Sequence, residues 1–184
     1  MIERDLGQLV YGYFASERET ALTGGVVGII CVVAAFILWA RAGMAPFHRG
    51  LAYPLLIAGV LLIGACTIYA STVERRGVSL VAEYLQKSVE ESLALEEARM
   101  SDVAKHGYNG AFAIFTMSIV GGAAMLFFYF GAPFRKGIAC GLVVVGLMGF
   151  TLEGFSLHKN RQYLQTLRSE VLGSASAGAG SHHP

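Results

Sequence analysis

One acid, Glu153, stands well inside an apolar stretch, residues 137–157. A carboxyl group in hydrocarbon is costly. It is therefore expected to be a proton or substrate site, to pair with Arg or His, or to reach solvent near the headgroups. It lies about one turn from His158, which places it towards a membrane surface. A second group of acids falls between the apolar runs. Glu83, Glu90, Glu91 and Glu97, with Glu96 among them, sit opposite an apolar stripe and form the face of a helix that a partner protein could dock on. Other chemistry is poorly represented. Cys31, Cys66 and Cys140 all lie in apolar runs without a C-x-x-C partner, so no disulfide framework is expected. The histidines (His48, His106, His158, His182 and His183) include no pair at helical ligand spacing within the ordered part, and the methionines are scattered. Neither a metal site nor a haem or other cofactor site is expected. No Walker loop, dinucleotide fingerprint, Ser/His/Asp set or H-E-x-x-H motif occurs, so the chain does not read as an enzyme.

The elements that must position these residues follow from composition. Of 184 residues, 54% are hydrophobic and 15% charged, with a mean hydropathy of +0.55; soluble domains average about 25% charged. Fourteen basic residues against thirteen acids leave a net charge of +1, and nothing attracts the chain to nucleic acid. The apolar residues gather in four runs, 21–40, 51–72, 107–131 and 137–157. A hydrocarbon core of about 30 Å needs roughly 20 helical residues, and each run supplies them. The fold class expected is all-α, a polytopic membrane protein with four transmembrane helices. The first run is not expected to be a cleaved signal, because acids precede it and no A-x-A-like site follows it.

Three polar segments complete the chain. Residues 1–20 form an amphipathic lead-in with Leu6, Leu9, Val10, Tyr13 and Phe14 at helical spacing, suited to the lipid interface or to packing on the bundle. Residues 73–106 predict an amphipathic helix outside the membrane, of about six turns and beginning after Gly77; its apolar stripe is Val78, Val81, Leu85, Val89, Leu93, Met100 and Val103. Glu83 and Lys87 form a favourable i,i+4 pair on its other side. Residues 158–172 extend the fourth span as a helix with Tyr163, Leu164, Leu167 and Val171 on one stripe. Residues 173–184, rich in Gly, Ala, Ser and His, are expected to be disordered.

Two connectors match at an offset of 87 positions. Pro46, Phe47, Arg49, Gly50, Leu51 and Ala52 stand against Pro133, Phe134, Lys136, Gly137, Ile138 and Ala139. Each ends an incoming helix at a proline turn and starts another at a glycine. We read two duplicated helical hairpins, 21–72 and 107–157, of parallel topology. Under that correspondence the counterpart of Glu153 is Cys66. Small residues at Gly24 and Gly28, Gly137 and Gly141, Gly121 and Gly122, and Gly146 and Gly149 provide smooth faces for close packing, between the chain's own helices in the first place and otherwise between two copies in a dimer.

The lead-in, the middle helix and the tail share one side of the membrane, with ten of the fourteen basic residues; Arg41, Arg49, Arg135 and Lys136 lie at the turns. The positive-inside tendency favours an N-in, C-in arrangement. The pattern P-F-x-[KR]-G-[LI]-A ahead of the second and fourth spans, with E-E-x-R-M at Glu96 to Met100, resembles that of a family of small four-span bacterial inner-membrane proteins with no assigned activity. The resemblance covers roughly residues 20 to 165. It implies a bacterial inner-membrane setting and brings no site residues with it.

With no motif for chemistry and an acidic helix outside the lipid, the expected function is binding: a non-enzymatic membrane protein that contacts membrane lipid and a protein partner or its own copies. An immunity-type protective protein and an accessory subunit of a membrane complex both belong to that class. The alternative is a small oligomeric transporter or channel built from the duplicated hairpins, for which Glu153 supplies the intramembrane ionic site.

Overall fold

A computed structural model of the chain describes residues 2–41, 45–84, 86–128 and 131–179, with side chains placed from 7 to 169 within those limits. Helices account for nearly all of them, and no strand occurs among the described residues. The order is α1 (Ile2–Arg41), α2 (Pro46–Tyr84), α3 (Val89–Asp102), one π-helical turn at Val103–Gly107, α4 (Asn109–Phe128) and α5 (Pro133–Ala179). Four helices are long and apolar enough to cross a membrane. Three of them, α1, α2 and α5, exceed a bilayer in length, because they do not stop where the apolar runs stop; α4, of 20 residues, follows on from α3 through the π turn. The lead-in and the first span are one helix, with no proline or capping turn between them.

The segment between the hairpins is arranged differently from the single helix expected after Gly77. Gly77 lies inside α2, where the Phe14 ring of α1 packs so closely that a β-carbon would come within 2.9 Å of Phe14 Cγ. The chain turns only at residues 86–88. Ser88 then caps α3, its side-chain oxygen accepting the Glu91 backbone N–H at 3.3 Å. The π turn carries α3 into α4 without a loop, with one extra residue absorbed locally. α5 continues as far as Ala179, into the stretch expected to lack structure, since Ala and Ser can extend a helix already running. Met44, Leu85, Tyr129 and Phe130, the side chains of Leu6 and Val171, and residues 180–184 lie outside what is described.

α1 packs along α2 and α4 along α5, and α2 packs on α5, so α2 and α5 are central and α1 and α4 flank them. Buried side chains form two clusters. One lies between the spans and joins Cys31 and Ala35 of α1 to Ala52 and Leu55 of α2. The other gathers Val10, Phe14, Val73, Tyr84, Leu93, Met100, Tyr163, Leu164 and Leu167 from α1, α2, α3 and α5. The lead-in and the C-terminal stripe are thus packed against the protein. Large apolar side chains such as Ile30, Phe36, Leu61, Ile68, Met117 and Phe128 remain exposed along the spans, as lipid-facing residues must be.

α2 begins at Pro46 and α5 at Pro133, 87 positions apart. The closest crossing of α2 and α5 sets Gly50 against Gly137. A β-carbon on Gly50 would collide with the backbone of Phe134 and Ile138, and one on Gly137 with the backbone of Phe47 and Leu51. Those contact residues also correspond at 87. Further along, Gly141 abuts Pro54, again a corresponding pair. Within the hairpins, Gly59 faces Gly28 and Val32, while Gly146 faces Phe115 and Ile119, the same relation repeated.

Candidate functional site

The buried ends of α1, α2, α3 and α5 hold a polar network that begins with Glu96. This carboxylate is fully buried, not on the outward acidic face where the run of glutamates suggests it. Val89, Leu93, Glu96 and Met100 recur at four- and three-residue intervals, so Glu96 falls on the packing stripe of α3. Arg99 supplies both its forks, Nε to Oε2 at 2.8 Å and Nη2 to Oε1 at 2.6 Å. Tyr84 donates to Oε2 at 2.8 Å and Tyr163 to Oε1 at 3.0 Å. Burial by itself would raise the Glu96 carboxyl; the Arg99 guanidinium, helped by the two phenols, outweighs it and holds the group below its ordinary value. The guanidinium also lies over the rings of Phe14 and Tyr13, at 5.4 and 6.0 Å from their centroids. One ion pair therefore ties four helices together. With every acceptor filled, its role is structural.

Beside it is a chamber of about 570 Å³ lined by α1, α2, the end of α3 and α5. Its polar wall includes Glu17, Tyr69, Tyr108, Glu153, Ser156 and Asn160. Glu17 is buried because it continues the inward stripe of Val10, Phe14 and Ala21 on α1; Tyr69 donates to its Oε2 at 2.7 Å. Asn160, also buried, accepts from Tyr13 at 2.9 Å and donates to the hydroxyl of Tyr108, which meets Ser156 at 3.1 Å. Lys159 donates to the hydroxyls of Thr20 at 3.0 Å and Ser16 at 3.3 Å.

Glu153 is half-buried, and its carboxylate accepts no hydrogen bond and makes no ion pair among the described residues. It lines the chamber and also a larger groove of about 800 Å³ that runs between α2 on one side and α4 and α5 on the other. The groove is otherwise walled by side chains such as Ile57, Leu61, Phe115, Leu142 and Leu152. Cys66, the corresponding position on α2, faces the same chamber.

The four outward acids divide into two kinds. Glu83 pairs with Lys87 at 2.7 Å and Glu97 with Arg168 of α5 at 2.9 Å. Glu90 and Glu91 are exposed, and their carboxylates accept no hydrogen bond among the described residues. With Ala94, Leu95 and Ala98 they make the outer face of α3, an apolar strip beside acids. Glu17, Tyr69, Tyr108 and Asn160 are polar residues of the chamber that the sequence reading did not single out, and Tyr13 entered it only as part of the lead-in stripe. Among the described residues no group of three or more His, Cys, Asp or Glu is placed to hold a metal ion. No family model, curated protein or solved structure matches this chain.

Proposed function

We propose that this is a non-enzymatic membrane protein that binds a partner protein through the outer face of α3. The observation that carries the reading is the division of labour on that helix. Its inner side is clamped by the Glu96–Arg99 pair and by Leu93 and Met100, while Leu95, with Ala94 and Ala98, is displayed on a rigid mount beside Glu90 and Glu91. Leu95 is 41% exposed on α3, whose acidic residues set it apart from the apolar runs and support a place for it outside the lipid. An apolar strip with acids at one end fits a partner helix carrying small or apolar residues with Lys or Arg at the matching end. An immunity-type protein or an accessory subunit would both use such a surface.

The same reading includes two duplicated hairpins, supported by the coincident starts of α2 and α5 and by the glycine contacts repeating at 87 positions. It places the chain in a bacterial inner membrane with both ends and α3 in the cytoplasm, supported by the ten basic residues on that side. The small transporter or channel stays as a second reading because Glu153 faces the chamber without a partner group.

The test is a photo-reactive residue at Leu95 in native membranes. A discrete cross-linked adduct is expected, and it should disappear when Glu90→Lys and Glu91→Lys are introduced together. Absence of any adduct from a correctly inserted protein would overturn the reading.

A further inference from the structure

We propose that the groove and the chamber form one binding site for an amphiphilic amine, its ammonium group held by Glu153 and Glu17 and its apolar body lying along the groove. The two spaces share Leu62, Ala65, Leu152 and Glu153 in their walls, so they meet at the carboxylate. Each falls in the size range of small-molecule sites, about 300–1,000 Å³. Along α2 the groove is lined from Tyr53 to Ala65, a rise of roughly 18 Å at 1.5 Å per residue, long enough for an extended alkyl chain.

The charge of the ligand follows from which polar atoms are already used. The chamber wall also carries Arg99 and Arg76. Arg99 is held by both oxygens of Glu96. Arg76 is exposed, and Lys159 is turned to the hydroxyls of Ser16 and Thr20. By contrast, both Glu153 oxygens and Oε1 of Glu17 accept no hydrogen bond among the described residues. Among the described residues, Glu153 is the one charged residue in the groove wall. Vacant carboxylate acceptors call for N–H donors, and a charge-assisted bond is about twice as strong as a neutral one. A carboxylate ligand would meet like charge there. A neutral head such as a hydroxyl could donate one hydrogen bond but would leave the charge of Glu153 unbalanced against an apolar wall. The site lies away from the outer face of α3, so it stands or falls independently of the partner-binding reading.

The experiment uses the full chain in phosphatidylcholine nanodiscs, with empty nanodiscs as the blank. Dodecylamine, dodecanol and laurate, which share one chain and differ in head charge, are compared by equilibrium dialysis. Saturable retention of about one dodecylamine per protein is expected, with the alcohol and the carboxylate retained no more than by the blank. Glu153→Gln should weaken amine retention at least tenfold. Ala65→Phe, which fills the junction of groove and chamber, should do the same while leaving Glu153 in place. Equal retention of the three chains by the wild-type protein would overturn the proposal without recourse to any variant. So would amine retention unchanged by Glu153→Gln. Retention of dodecanol above dodecylamine would mark the groove as a lipid-filled seam and would likewise overturn it.

Discussion

The two ends of the α2–α5 pair differ in almost every physical respect. At the turn end, Gly50 and Gly137 bring backbone onto backbone, no space remains, and the contacts on one helix mirror those on the other. At the opposite end the helices part around a chamber, polar side chains enter its wall, and the corresponding positions differ in kind, Cys66 on one side and Glu153 on the other. Close packing of small residues holds the first end. The second is held by directional bonds between α1, α2, α3 and α5. A membrane protein gains nothing by burying one apolar surface on another when lipid is equally apolar, so both devices are needed. They should also fail in different ways.

The largest effect is expected at the turn end. Gly50→Val forces a branched side chain into the Phe134 and Ile138 backbone, which cannot give way as a flexible side chain could. Overpacking commonly costs 1–3 kcal/mol, and against rigid backbone we expect about 3 kcal/mol or more, read as loss of a folded fraction on detergent extraction. Gly137→Val should be as damaging. Gly64→Ala, where a β-carbon meets open space, should leave the melting temperature unchanged or slightly raised.

Breaking the bonded end comes next. Glu96→Gln leaves the largely buried Arg99 without its counter-ion, and removal of one partner of a buried pair costs about 3–5 kcal/mol, less here because the Arg99 side chain keeps 32% exposure. Denaturation in mild detergent measures it. A third expectation concerns acid. The folded carboxyl of Glu96 lies below its unfolded value, so its contribution is complete above the unfolded carboxylate range and is lost as pH falls through the folded value. The wild-type protein should lose melting temperature as pH falls below about 4.5. Glu96→Gln, already weaker, should show a shallower acid limb. Parallel limbs would show that another group governs acid stability.

The smallest effect should come from Glu90→Lys with Glu91→Lys. Exposed charges contribute about 0–1 kcal/mol, and these two lose only the attraction of Glu91 for Lys87 and of both acids for the first turn of α3. A melting temperature within 2 °C of wild type is expected. A fall comparable with that of Glu96→Gln would mean that α3 presents a different face from the one described.

The four spans were legible because hydrophobic length is a collective signal that no single substitution hides. Where the helices end was less so. Gly77 looks like a start signal because glycine weakens a helix. Here it is kept inside α2 as the site against which Phe14 closes, a reason that lies on another helix. Glu96 was concealed by its neighbours: a run of acids suggests a solvated face. Yet its spacing from Leu93 and Met100 already put it on the apolar stripe, and Arg99 three residues on offered the counter-ion. Glu17 followed the same rule on α1. The chamber itself could not be read, because Tyr69, Tyr108 and Asn160 meet only after α2, the π turn and α5 are brought together. Glu153, by contrast, stood out as a charge in an apolar run.

The close crossing at Gly50 and Gly137 gives α2 and α5 a fulcrum near one end of two long rods. At 1.5 Å per residue, Glu153 lies roughly 24 Å from that fulcrum and Leu167 roughly 45 Å. A 5° change in crossing angle would therefore shift the chamber wall by about 2 Å and the outer cluster by about 4 Å, with almost no movement at the glycines. Such a lever converts a small opening around Glu153 into a larger displacement where α3 is mounted, unless the Arg168–Glu97 and Tyr163–Glu96 bonds hold the far ends shut.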